Sequence, residues 1–193
     1  MASALTQRLN FDRVSSLYRQ IHLHTNPQGK IASNAVQRVI MASRSHGALR
    51  VLAQAPDGDD KCFQFMSDFY QAVQAVFKKD WDGLSPKTSR LVHSVGIISM
   101  GRVMEVAFHV CQARSFGDFC DVLVSIRDQT HWTQGKWIIG NSGNVRERVW
   151  NEFQSTHPDI QMLSDHLDRL VRQSYRKQQE KLDAESTRIA AAG

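Results

Sequence analysis

The chain has 193 residues, with 24 Lys and Arg against 19 Asp and Glu and a pI near 9.3. A hydrophobic share of 41% is enough for one compact core, or two small ones, and excludes wholesale disorder. Cys62, Cys111 and Cys120 form no CxxC pair, which argues against a disulfide scaffold or zinc module and for reduced thiols in a cytoplasmic protein.

From the N-terminus, Leu5, Leu9, Val14, Leu17, Tyr18 and Ile21 recur at three- and four-residue spacing, which predicts a first helix. The opening MASALTQRLNF has no basic stretch leading into a long apolar run, so neither a signal peptide nor a membrane association is expected. Asn26-Pro27-Gln28-Gly29 then breaks the chain. A second helix follows, with Ile31, Ala35, Val36, Val39 and Ile40 inward and Ser33, Asn34, Gln37, Arg38 and Arg44 on the opposite side. A short apolar run, Leu49 to Leu52, ends at Pro56-Asp57-Gly58.

Residues 61–78 predict a third strong helix through Cys62, Phe65, Met66, Phe69, Val73, Val76 and Phe77. Ser85-Pro86 has the form of an N-cap with proline at the first helical position, opening the most apolar helix of the chain, from Leu91 to Val110. His93, Arg102, Glu105 and His109 interrupt it, so it reads as the centre of a bundle and not as a membrane span. Gly96 and Gly101 weaken it by about 1 kcal/mol each and are expected to serve close helix–helix contact.

Phe116 to Ile126 continues the helical pattern, whereas residues 128–144, with Trp132, Trp137 and three glycines, read as a loop with one short extended piece at 136–139. Val145, Val149, Trp150 and Phe153 stripe one further helix, and Ile160, Leu163, Leu167, Leu170, Val171 and Tyr175 another. The fold expected is all-α: a single-domain bundle over 1–175 of about seven to eight helices around an apolar central helix. Its parts are basic N-terminal helices (1–55), core helices (61–127), the Trp/Gly loop (128–144) and C-terminal helices (145–175), followed by a polar tail (176–193) that ends frayed.

The charge is uneven. Residues 1–50 hold seven Lys and Arg against Asp12 alone, while residues 101–193 hold twelve of each sign. A basic segment of this kind attracts a polyanion or an acidic protein face. Arg8, Arg13, Arg19, Lys30, Arg38 and Arg44 are the candidate phosphate contacts, with Asn34 and Gln37 as base readers, and the break and helix at 26–44 invite a helix-turn-helix reading.

No set of residues has strong catalytic spacing. Gly135-Lys136 lacks the upstream glycine and following Ser or Thr of a phosphate-binding loop. Asp57, Asp59 and Asp60 open like a calcium loop but meet Lys61 at the fifth position. His109, Cys111 and Cys120 have no further pair to complete a zinc site. No metal and no cofactor is expected.

His22 and His24 have acid–base chemistry, but only Asp12 is near in sequence to hold a nuclease metal, and a helix C-terminus explains them better. Arg102, Glu105, His109 and Gln112 make a polar stripe in which Arg102 and Glu105 are expected to pair. Trp132 and Trp137, with Asn141 and Asn144, either stack on a base or pin the loop to the core. The chain reads as non-enzymatic.

Three segments together resemble one family. Phe11-Asp12-Arg13 through Leu17-Tyr18-Arg19-Gln20-Ile21-His22 to Thr25-Asn26-Pro27, then Trp81-Asp82-Gly83-Leu84 with Ser89-Arg90-Leu91 and His93 to Ile97, Met100-Gly101 and Met104, and finally the pair Trp132 and Trp137, are similar to the helical later part of DGQHR-domain proteins. That family includes DndB-type regulators associated with DNA phosphorothioate modification, and many members ride on mobile elements. The resemblance covers roughly residues 10–155. It implies a regulatory or defence-related setting linked to DNA. The Asp-Gly-Gln-His-Arg motif and its ParB-like half are absent from this chain.

Two functions follow as expectations. The first is a nucleic-acid-binding protein, DNA being the favoured target, acting through the basic N-terminal helices. The second is an antagonist encoded by a mobile element that docks on a host nucleoprotein complex, with the basic face turned to an acidic protein surface.

Overall fold

The computed structural model describes residues 2–141 and 144–192. The chain order is α1 (Ala2–Phe11), β1 (Ile21–His22), β2 (Ile31–Ala32), α2 (Ser33–His46), α3 (Ala48–Leu52), α4 (Gly58–Val76), α5 (Lys78–Trp81), α6 (Ser94–His109), α7 (Phe116–Arg127), β3 (Lys136–Asn141), β4 (Asn144–Val149) and α8 (His157–Ala192). The fold is therefore mostly helical, with eight helices among the described residues, but it is not strictly all-α: β1 pairs in parallel with β2, and β3 pairs antiparallel with β4. No helix among the described residues is long and apolar enough to cross a membrane.

α6 is the central element, as its composition predicts. Val95, Met100, Val103, Met104 and Ala107 are fully buried, with α2 on one side and α8 on another. α4 lies against α7 through edge-on aromatic contacts, Phe65 meeting Phe119 at 5.3 Å and Phe69 meeting it at 5.4 Å, and Phe65 also meets Phe108 of α6 at 5.4 Å. Such pairs favour this geometry because a ring's positive edge meets the other's negative face. One continuous apolar cluster runs from Leu5 to Val171.

Three local readings are corrected. The first predicted helix stops at Phe11 and residues 12–20 form turns, leaving Val14 76% exposed although Leu17 and Ile21 are buried. Polar side chains take over there from the helical ladder. Asn10 Oδ1 accepts the Ile21 amide at 2.9 Å, Asn26 Nδ2 donates to the Ile21 carbonyl at 2.8 Å, and Ser16 exchanges two hydrogen bonds with Ser67 of α4. A strand thus precedes α2 in place of a helix, so there is no helix-turn-helix, and His22 and His24 sit on β1 and the turn after it, not at a helix end.

The central helix starts at Ser94 and not at Ser85-Pro86. Ser89 Oγ donates to the Asp80 carbonyl at 2.6 Å and the Arg90 amide to that of Trp132 at 2.9 Å, folding 85–92 back before His93 caps α6 by accepting the Val95 amide. Gly96 is required by that fold-back, since a Cβ there would lie 2.0 Å from the Arg90 carbonyl oxygen. Gly101 does serve helix contact: its Cβ would meet Val39 of α2 at 2.7 Å.

The extended piece expected at 136–139 lies in β3, and in place of the helix expected from Val145 the strand β4 pairs with it, Trp137 opposite Arg148 and Ile139 opposite Arg146. A spacing of four places Val145 and Val149 on one side of a helix or of a strand equally well, which is why the pattern misled. Trp137 and Ile139 turn inward, while Ile138 is 63% exposed. The polar segment from 176 is helical. α8 continues as helix to Ala192, about 54 Å in all, with residues 180–188 exposed beyond the bundle.

Candidate anion-binding surfaces

The eight residues singled out in the sequence fall into separate groups. Arg8 of α1 and Arg44 of α2 converge on the first turn of α4. Arg8 Nη1 lies 2.7 Å from Asp60 Oδ1 with its guanidinium 4.2 Å from the Phe63 ring centre, and Arg44 Nη2 lies 2.8 Å from Asp59 Oδ1. These aspartates also sit where an α-helix favours negative charge. Lys30 donates to the Trp81 carbonyl at 2.7 Å and its ammonium stands 5.1 Å from the Trp81 ring centre. Burial lowers the Lys30 pKa, and the charge of Asp82 raises it in part. Three of the six basic residues are thus already engaged by other groups of the chain.

Arg13 and Arg19 form the second group, around Tyr18 in the turn at 12–20. Arg19 is held at φ 55°, in the left-handed region that a non-glycine residue rarely adopts, with its amide donating to the Asn10 carbonyl at 2.8 Å. Its guanidinium lies 5.8 Å from the Tyr18 ring centre. Hydrogen bonding from Arg19, then the charges of Arg19 and Arg13, lower the Tyr18 pKa. Neither arginine has a carboxylate partner among the described residues. Tyr18 was placed by its spacing on an apolar helical stripe. The signal that could have identified it is an aromatic residue between two arginines six positions apart.

Asn34, Gln37 and Arg38 form the third group, on the outer side of α2, with Asn34 and Arg38 exposed and Gln37 half-buried. Arg38 stands at the lip of a groove of about 370 Å³ between α2, α6 and α8. Arg102, Glu105 and His109 of the polar stripe line the same groove, but Gln112 does not; it turns back to donate to the His109 carbonyl. The expected Arg102–Glu105 pair is replaced. Arg102 reaches Asp168 of α8 at 2.8 Å, and Glu105 Oε2 accepts the Ala48 amide at 2.8 Å, 3.5 Å from His109 Nε2.

Trp132 and Trp137 are 1% and 0% exposed and meet edge-on at 4.9 Å, with Phe77, Phe153 and His166 around them. They pin the hairpin to the core and present no face to a base. The side chains of Asn141 and Asn144 lie outside the described residues. His22 Nδ1 is 3.0 Å from the Pro27 carbonyl oxygen. No group of three or more His, Cys, Asp or Glu among the described residues is arranged to hold a metal. Cys62, Cys111 and Cys120 are free thiols, Cys62 buried and the others half-buried. Comparison with protein families, with curated proteins and with solved structures finds no significant match.

Proposed function

We propose that this chain is a non-enzymatic nucleic-acid-binding protein, of a regulatory kind, whose contact surface centres on the turn at 12–20. Arg13 and Arg19 take phosphates there, Tyr18 packs against a base or sugar, and Asn34, Gln37 and Arg38 of α2 make a second set of contacts. The observation that supports this is the Arg19 guanidinium 5.8 Å from the Tyr18 ring centre, with the charge of Arg13 also acting on Tyr18 and neither arginine paired to a carboxylate among the described residues. A phosphate backbone attracts cations that the protein has not already neutralised, and an aromatic ring among them adds stacking that any base can meet. The DNA-modification or mobile-element setting rests on the family resemblance alone.

Titration of labelled duplex DNA, single-stranded DNA and RNA at several salt concentrations tests the reading. On duplex DNA, log K is expected to fall by about 0.9 per phosphate neutralised for each decade of salt, and Arg13→Ala with Arg19→Ala to reduce that slope by about 2. Absence of binding to all three at low salt overturns it.

A second reading, docking on a host nucleoprotein complex, is favoured by the outer face of the hairpin. Ile138 and Val145 are 63% and 58% exposed there, beside the Lys136–Glu147 ion pair at 2.9 Å. Scattered apolar residues are ordinary on a surface, but an apolar strand face with unpaired edges suits a protein partner. Stoichiometric, nuclease-resistant co-purification that Ile138→Glu abolishes would move the function to this face.

A further inference from the structure

The interior of the groove between α2, α6 and α8 is not used by either reading; only Arg38 at its lip is shared with the proposed nucleic-acid contacts. Its floor is Val39 and Ala42 of α2 with Ile98 and Gly101 of α6. The missing side chain at Gly101 lets α2 come close enough to make that floor continuous, since a Cβ would meet Val39 at 2.7 Å. At about 370 Å³ the space falls within the range of small-molecule sites, roughly 300–1,000 Å³.

Of the two guanidiniums that line it, one is paired. Arg102 is tied to Asp168 at 2.8 Å. The one carboxylate of the lining, Glu105, has Oε2 committed to the Ala48 amide and Oε1 buried. Arg38 has no carboxylate partner among the described residues and is exposed, while His46 also lines the groove and His109 Nε2 lies 3.5 Å from Glu105. An apolar floor with one unpaired guanidinium at its edge is complementary to a molecule with an apolar body and an anionic end, because burial of the body and pairing of the anion are met together.

We propose that this groove binds a small amphipathic anion: an aromatic or aliphatic body seated on Val39, Ala42, Ile98 and Gly101, with a carboxylate, sulfonate or phosphate on Arg38. The site shares Arg38 with the proposed nucleic-acid surface, but its test reads small-ligand binding directly and so fails or succeeds separately from that reading.

The probe is 8-anilinonaphthalene-1-sulfonate, an aromatic sulfonate whose fluorescence rises on leaving water, titrated into the folded protein. A saturable rise with one site per chain is expected. Ala42→Phe, which fills the groove from an exposed position, should remove it. Arg38→Ala should weaken it at least tenfold, and Arg38→Lys less. Should Ala42→Phe fail to fold, Arg38→Glu, a charge reversal at an exposed residue, must abolish saturation. Leu182→Glu, at an exposed apolar residue on the far part of α8, serves as the control and should leave the titration unchanged. A titration without saturation, one indifferent to Ala42→Phe and to the Arg38 variants, or one lost only in Leu182→Glu overturns the proposal.

Discussion

Glu105 of α6 and Ala48, the first residue of α3, meet through a 2.8 Å hydrogen bond from the Ala48 amide to Glu105 Oε2. Gly47 lies against the same carboxylate, and a Cβ there would stand 2.2 Å from Oε2. The sharp junction between α2 and α3 is thus closed by a side chain from the central helix. Glu105→Ala leaves the Ala48 amide without its acceptor and is expected to cost about 1–3 kcal/mol in urea unfolding. Glu105→Gln keeps an acceptor oxygen and should recover much of the loss. Gly47→Ala should also destabilise, because the carboxylate must leave its place. An unchanged stability in Glu105→Ala would show that the junction does not depend on this bond.

The division of the basic residues separates stability from binding. Arg8 and Arg44 hold α1 and α2 to the start of α4 through Asp60 and Asp59. Each pair is exposed on at least one side, so Arg8→Ala or Arg44→Ala should cost about 0.2–1 kcal/mol of stability and leave the salt slope of any nucleic-acid binding almost intact. Arg13→Ala and Arg19→Ala should do the reverse. Chemical denaturation beside salt-dependent titration of the four variants checks this. A larger loss of affinity in Arg44→Ala than in Arg19→Ala would place the interface on α2 and away from the turn.

Trp137 makes a parallel distinction for the aromatic residues. It is fully buried, with Trp132, Phe153, His131 and His166 around its ring. Trp137→Ala is expected to cost about 3–5 kcal/mol and to loosen the hairpin from the bundle. Tyr18→Ala should change stability little and weaken nucleic-acid binding, while Tyr18→Phe, which retains the ring face, should bind nearly as the parent does. Equal affinity in Tyr18→Ala and the parent would remove the ring from the contact surface.

The helices that pack a full apolar face were legible in the sequence. α4, α6, α7 and the first half of α8 lie where Phe65, Val103, Leu123 and Leu167 repeat at helical spacing, because burial of one stripe dominates there. What spacing could not show depends on long-range partners. Leu17 and Ile21 keep the helical interval, yet Asn10, Asn26 and Ser67 satisfy the backbone between them in a different path. The same holds for charge. Seven cations in residues 1–50 look like one surface until Asp59 and Asp60, just beyond that window, take Arg44 and Arg8. The groove was half visible, as a polar stripe on α6, but Arg38 and Ala42 join it only through the packing of α2 on Gly101.

His166 supplies a pH dependence whose sign is fixed. It is buried on α8, with its Nδ1 2.8 Å from Arg169 Nη2 and its ring 6.0 Å from that of Trp137. Burial first, then the charges of Arg169 and His131, lower its pKa from 6.5 to about 4. The unfolded chain therefore takes up a proton near pH 6.5, whereas the folded chain resists it until about pH 4. Between those values the unfolded state holds more protons, so stability rises with pH. The contribution is complete above 6.5 and is lost as pH falls to 4, by roughly 3 kcal/mol at about 1.4 kcal/mol per unit. Urea unfolding of the parent and of His166→Phe between pH 7.5 and 4 isolates this from carboxylate titration, because the carboxylates are common to both chains. The parent should lose more stability than the variant across the window, and superimposable profiles would mean that His166 is as easily protonated folded as unfolded.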